Sequence, residues 1–506
     1  QTLGRISFPV SASVQAQRHF TRGVLLLHSF EYQDARAEFT AAQKVDPNFA
    51  MAYWGEAMTY NEPVWFAQDP VSARAALRRL APTAEGRRAK APTSREKAYL
   101  NAVETLYGAG TKEERDFAYS GAMQSIHEAY PDDPEAAALY ALSLIGTCHR
   151  GRDPRVYMRA AAIVEDVAVK NPGHPGALHY LIHCYDDPVH APLGLRAARR
   201  YAGIAPESAH ARHMPSHIFF GLGMWPEAAA ANESAWNWAR EKAKRSKRPV
   251  EAGGYHALWW LEYAYLQQGR YADARRTVVA MGTIAGAGAA PPLRFHLIQM
   301  RAMYSIETGA PYEADAETTG IDLAAAGADL LARGMTALNT GNKDQAEELL
   351  KRLQVLQKPF ATLPASDIHR HVYAGDQETL QIMGNELAAL LRLADGKSRE
   401  AVELLKSAVA LEEKTPFEFG PPQPPKPAHE LLGEVLLQLN QPALARVQFE
   451  LGLLRSPKRA LSLLGLARSL TQSGNSTAAR KIYGELHAIW SQADPEVRSA
   501  LEGSLR

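Results

Sequence analysis

This 506-residue chain carries almost none of the usual signposts of function. No stretch of about 18 apolar residues occurs, so no helix is expected to span a membrane. Acidic and basic residues nearly cancel, leaving a formal net charge of +1, and no global field favours nucleic acid or an anionic membrane. A phosphate-binding GxxxxGK(S/T) loop, a dinucleotide fingerprint after a strand and a GxSxG elbow are all missing. There are only two cysteines, Cys148 and Cys184. They would form one disulfide in an oxidising compartment or remain two buried free thiols. His183 precedes Cys184 directly, which puts the two side chains on different faces of a helix and speaks against a Cys–His nucleophile.

What the chain does have is a repeat. It is Ala- and Leu-rich, 46% hydrophobic and 22% charged, without long alternating strand-like runs. Gly23, Ala35, Phe39, Ala42 and Pro47 take positions 8, 20, 24, 27 and 32 of a 34-residue helix-turn-helix unit, and Tyr53, Ala57 and Tyr60 open the next. Small residues sit where the two helices touch, Phe39 fills the gap between them and Pro47 stops the second helix. Ala122, Ile126, Ala129 and Pro134 repeat the signature, followed by Ala160 and Pro172. Further on, Gly or Asn at position 15 with Ala at position 20 marks Gly223/Ala228, Gly269/Ala274, Gly309/Ala314, Gly341/Ala346, Gly396/Ala401, Asn440/Ala445 and Gly474/Ala479.

This pattern resembles the tetratricopeptide (TPR) repeat over nearly the whole chain. The resemblance implies an all-α fold, a right-handed α-solenoid of roughly ten or eleven helix pairs, in which each repeat packs on its neighbours and residues 1–506 form one body. The N-terminal repeats would occupy 1–240 and the C-terminal repeats 255–506. Pro-, Gly- and charge-rich stretches predict loop insertions near 61–95, 241–254, 283–292, 356–379 (with His369 and His371) and 412–428. Basic clusters such as Lys242 to Arg248 read as solvated surface.

In such arrays positions 2, 5, 9, 12 and 13 of each first helix face inward. Nine of the seventeen histidines fall on these slots, against ~2.5 expected for uniform occupancy of the repeat. His28 and His149 take position 13, His179 and His183 positions 5 and 9, His210, His213 and His217 positions 2, 5 and 9, and His256 and His296 position 2. Two histidines at i and i+4 stand one turn apart on one face and can chelate one metal ion. Two such pairs in equivalent slots of adjacent repeats, with His210 beside them, make His179, His183, His210, His213 and His217 candidate ligands, and His149 a further one. Pro215 either kinks the helix carrying His213 and His217 or begins a shorter helix just after His213. His174 and His190 fall at turns and would ligate only if the chain folds back.

Asp186 and Asp187 lie one turn beyond His183 and would ligate, orient imidazoles or act as general bases, a role also open to Glu62. Imidazole and carboxylate without thiolate suit copper, zinc, iron or nickel and disfavour calcium or magnesium. His28, Trp65, His256, Trp259, Tyr263 and His296 are candidates for a substrate wall, while most such aromatics in helical repeats serve packing. Phe417 to Pro422 would close the groove or only join two repeats.

The segments HYLIH, DDPVHA and HARHMPSHIF resemble a group of bacterial, apparently exported TPR proteins. A start at Gln1 instead of Met points the same way, to a mature periplasmic or extracellular form. Two readings follow. One is a metalloenzyme, oxidative with copper or iron and hydrolytic with zinc, copper being slightly favoured by the imidazole-rich donor set. The other is a non-catalytic solenoid that binds a peptide, a glycan, a small molecule or its own copies.

Overall fold

The computed structural model describes residues 3–286, 288–312, 318–357, 376–417 and 419–505. Helices dominate it. Among the described residues the only sheet is a two-residue antiparallel pair, Asn61–Glu62 with Ala67–Gln68, around the turn Pro63–Trp65. The expected segment around His369 and His371 lies outside the described residues.

The helical hairpin is built as its small residues dictate. A methyl group placed on Gly23 would come within 2.7 Å of the Phe39 ring, and one on Gly55 within 2.3 Å. Phe39 is completely buried in that slot. Phe449 is seated in the same way between Gly433 and Gly465, at 2.7 and 2.2 Å. In both cases the phenyl ring locks one hairpin to the first helix of the next, because only glycine lets the backbone approach so closely.

Two of the expected loops are largely helical. The stretch 61–95 contains helices Pro70–Leu80 and Ala84–Ala89, started by Asp69 and Thr83 side chains that accept from Ser72 N and Gly86 N. Pro70 stands at the first helical position, where its missing N–H costs nothing, so proline there starts a helix and does not break it. The basic run at 241–246 completes the long helix Trp225–Ser246. Lys and Arg are good helix formers and suit the negative end of the helix dipole.

The chain divides into two compact units. The first comprises residues 1–186 and 190–218, the second 187–189 and 219–506. The division falls inside the helix Pro215–Gly221, not at the 241–254 loop.

In the first unit the start of the chain returns to a late repeat. Arg5 N donates to Gly173 O at 2.8 Å, and the helix Val14–His28 packs on Pro175–Cys184. Gly176 makes this approach possible, since a Cβ there would lie 2.4 Å from His28 Nδ1. The second unit closes similarly: Trp225 Nε1 donates to Lys458 O (2.9 Å) and Asp494 N to Gly269 O (3.0 Å). Side chains that an open array would leave in a wet groove are therefore enclosed.

Candidate metal centre

Enclosure begins at His28. Its imidazole is fully buried, with Nε2 2.6 Å from Glu135 Oε2 and Nδ1 2.8 Å from the Tyr180 hydroxyl. His174 caps the helix Pro175–Cys184 by accepting from Ala177 N, so its other nitrogen carries the proton, 3.3 Å from Glu135 Oε1. Burial alone would raise the Glu135 pKa, but the two imidazoles outweigh it and hold the carboxyl well below its ordinary range. His28 thus serves the framework, both of its ring nitrogens being engaged with Glu135 and Tyr180.

Its backbone carbonyl has a different task. The His28 carbonyl oxygen lies 2.6 Å from His179 Nδ1. A carbonyl can only accept, so His179 carries its proton on Nδ1 and presents a bare lone pair at Nε2. Two further imidazoles meet that atom: His183 Nε2 at 3.1 Å and His210 Nε2 at 3.0 Å. The helix Pro175–Cys184 supplies His179 and His183 one turn apart. His210 comes from the helix Ala209–His213, whose start is held by Ser208 and by Glu31 Oε1, 2.8 Å from the Ser208 hydroxyl.

His213 and His217 form a second pair, Nε2 to Nε2 at 3.0 Å. The helix is interrupted at Met214, which remains in the right-handed helical region, and Pro215 opens the next segment. Both readings of Pro215 are partly right, and the two histidines still face each other. Asp186 ties the groups together. Its Oδ2 lies 2.5 Å from His217 Nδ1 and 3.8 Å from His183 Nδ1, which fixes the His217 proton on Nδ1 and turns its Nε2 lone pair toward His213.

All five rings are buried, none more than 6% exposed. Burial pushes the pKa of His179 down to about 3, and those of His183 and His210 well below the ordinary value. These imidazoles are neutral at physiological pH, the form that ligates metals. Arg152 secures the end of the helix by donating to the carbonyls of His183 (3.1 Å) and Cys184 (2.5 Å). Cys148 and Cys184 are free buried thiols and not a disulfide; burial raises the pKa of each.

Other expected residues have other partners. His149 is not brought to the imidazole group; its Nε2 sits 3.0 Å from Asp116 Oδ2. Trp65 does approach, its ring centroid 6.0 Å from that of His210 and 5.5 Å from that of Phe30. Glu62 is half-buried, and desolvation raises its pKa despite Arg36. Asp187 accepts from Val189 N at 2.9 Å in a tight turn. In the second unit His256 Nδ1 lies 3.4 Å from His296 Nε2, with Trp259 packed against both rings, while Tyr263 accepts from Arg459 at 2.8 Å. The segment at 417–422 includes Gly420, where a Cβ would lie 2.8 Å from the Trp260 ring.

Phe30, Glu31, Tyr180 and Tyr201 complete the surroundings of the site without having been singled out by the histidine pattern. Tyr201 stacks on His179 at 5.3 Å and 17°. Phe30 carried a legible signal, since it takes position 15, where seven other repeats have Gly or Asn.

The geometry and the repeat signature together define a tetratricopeptide-type α-solenoid. No protein-family model matches the sequence, and no curated protein matches it. Solved structures of similar fold include the human IFIT1 dimer with m7Gppp-AAAA (12% identity, TM-score 0.40, covering 95% of this chain and 91% of that one). The Cut9–Hcn1 hetero-tetramer of the APC/C gives 13% identity and a TM-score of 0.36, over 99% of this chain and 79% of that one. Yeast Tom70 gives 12%, 0.33, and 92% of each chain. At such values the likeness concerns repeat architecture and carries no function. Among the described residues no helix is long and apolar enough to cross a membrane.

Proposed function

We propose that the chain is a metal-dependent enzyme whose first unit binds a transition-metal ion on His179, His183 and His210, with His213 and His217 offering an adjoining pair. One observation carries the reading. A neutral imidazole nitrogen has a single lone pair and can accept one hydrogen bond. With its proton committed to the His28 carbonyl, His179 Nε2 turns its lone pair toward two other Nε2 atoms within 3.1 Å. Three buried imidazole nitrogens converging on one point are the donor set that a shared cation would take.

An all-imidazole donor set fits copper, with zinc and iron as competitors. Asp186 is engaged with His217 and sits beside His183, so it acts as an orienting group and is poorly placed as a general base. That favours oxidation over metal-assisted hydrolysis. Copper bound there would supply one-electron and oxygen chemistry to a substrate held beside it. The protein's part is to keep the imidazoles neutral, orient their Nε2 atoms and exclude water.

Elemental analysis of untagged protein purified without chelator tests the reading, with the double variant His183→Ala/His210→Ala as its control. About one or two equivalents of copper per chain are expected, falling to background in the variant while far-UV circular dichroism is retained. A chain that is metal-free and takes up neither copper, zinc nor iron on reconstitution would be a non-catalytic solenoid, and the proposal would fail.

A further inference from the structure

A small pocket lies in the first unit and shares one wall with the imidazole group. That wall is Phe30. It lines the cavity, and its ring centroid is 4.3 Å from that of His179, 5.4 Å from that of His210 and 5.9 Å from that of His183. Phe30 has φ +52°. The corresponding turns at Gly223, Gly269, Gly309, Gly341, Gly396, Asn440 and Gly474 also have positive φ and carry residues that tolerate it. A bulky residue held in this region marks a place where the surroundings require its side chain.

The rest of the cavity is mostly apolar and aromatic: Leu27, Met58, Leu139 and Leu142, with Tyr119 and Tyr180; Asn61 adds an amide whose Oδ1 accepts from Gln68 Nε2 at 3.1 Å. Among the described lining residues Asp116 alone carries a charge, and it is paired with Lys112 and His149. The Tyr180 hydroxyl is engaged with His28, and that of Ser143 with Ser120 and the Tyr140 carbonyl. Tyr32 differs. Its ring stacks on Phe30 (5.4 Å, 13°), while its enclosed hydroxyl has no hydrogen-bond partner. Burial, with Glu62 nearby, pushes this phenol's pKa well up, so it stays protonated and able to donate. Native interiors rarely leave such a group unmatched, and a ligand supplies the match.

We infer that the cavity is a substrate pocket for a neutral, planar aromatic molecule with one hydroxyl group, a phenol, whose hydroxyl pairs with Tyr32 and whose ring lies along Phe30. The assignment of the phenol as substrate rests on the metal-centre reading; the ligand class rests on the cavity alone. Cationic and anionic ligands find no free counter-charge among the described lining residues, and a purely hydrocarbon ligand leaves Tyr32 unmatched.

Isothermal titration with 4-propylphenol and with 4-propyltoluene tests this on wild-type protein and on Tyr32→Phe, each as purified and after removal of metal with EDTA. Saturable binding of one 4-propylphenol per chain is expected, weakened about tenfold by Tyr32→Phe, which corresponds to about 1.4 kcal/mol. Affinity for 4-propyltoluene should not fall. Tm and metal content should be unchanged in the variant, since the hydroxyl has no partner to lose. Equal affinity of the two proteins for 4-propylphenol, or no saturable binding, overturns the inference. Protein that holds no metal as purified and takes none up, yet binds 4-propylphenol in a Tyr32-dependent way, upholds the ligand class and removes the metal reading; metal-loaded protein that fails to bind it does the reverse.

Discussion

The backbone carbonyl of His28 accepts a hydrogen bond from His179 Nδ1 at 2.6 Å, and through it the first repeat of the chain dictates which nitrogen of a distant imidazole is free. This is a recurrent way of orienting a metal-binding histidine, and the carbonyl cannot be removed by mutation. The other orienting group, Asp186, can be.

Asp186→Asn keeps the shape of the side chain and removes its charge. The expected result is a metal affinity lower by roughly 10- to 100-fold, the usual cost of losing a carboxylate behind a ligating histidine, with the fold intact. Competition with a chromophoric chelator measures it.

Glu386 is wholly buried, and neither carboxylate oxygen has a hydrogen-bond partner. Burial, reinforced by Glu412, raises its pKa well above the ordinary value. A carboxyl raised in the folded state contributes stability that is complete below its unfolded pKa, about 4.3, and is lost as pH rises toward the folded value. Glu386→Gln should therefore change stability little at pH 4 and raise it at pH 8, with a gain of about 1.4 kcal/mol for each unit of pKa shift removed. Urea unfolding at the two pH values reads the difference.

Arg459 is the hub of the second unit. It donates to both Glu430 oxygens (2.8 and 2.9 Å) and to Tyr263, and it pairs with Glu307; Ser462 and Lys426 complete the shell of Glu430. Arg459→Leu would leave two buried carboxylates short of their counter-charge, at a cost of about 3–5 kcal/mol. A lower denaturation midpoint in urea is expected, with metal content unaltered.

Gly55→Ala tests the packing of the repeat. The added methyl would meet the Phe39 ring at 2.3 Å, and Phe39 is locked on its other side by Gly23. Overpacking of about 1–3 kcal/mol should follow, seen as a lower Tm. Gly121→Ala, at a site with open space around it, is the control and should be neutral or mildly stabilising.

The repeat could be read from the sequence because its rules are local: a glycine, an alanine and a proline at set intervals report the contact of two adjacent helices. The pairing of His179 with His183 was readable for the same reason, being a single helical turn. The place of His28 was not, nor the position of Glu135 between His28 and His174. Both depend on the first helix returning to a helix about 150 residues later, a contact that a repeat register does not encode. The loop expectations at 61–95 and 241–254 fail where Pro70 starts a helix and where the Lys- and Arg-rich run ends one. Phe30 breaks the rule that marks the other repeats, and the break itself is the clue.

Closure of the first unit also sets an order on synthesis. His28 and Phe30 leave the ribosome long before His210, and neither can take its place until the helices up to residue 217 have followed. At about 5–20 residues per second, the earliest repeat waits roughly 10–40 s for its partners. His210, His213 and His217 are the last candidate ligands of that interval to emerge, so on the proposed metal reading the ion would be captured only after the translated segment has folded back, with more than half of the chain still to be made.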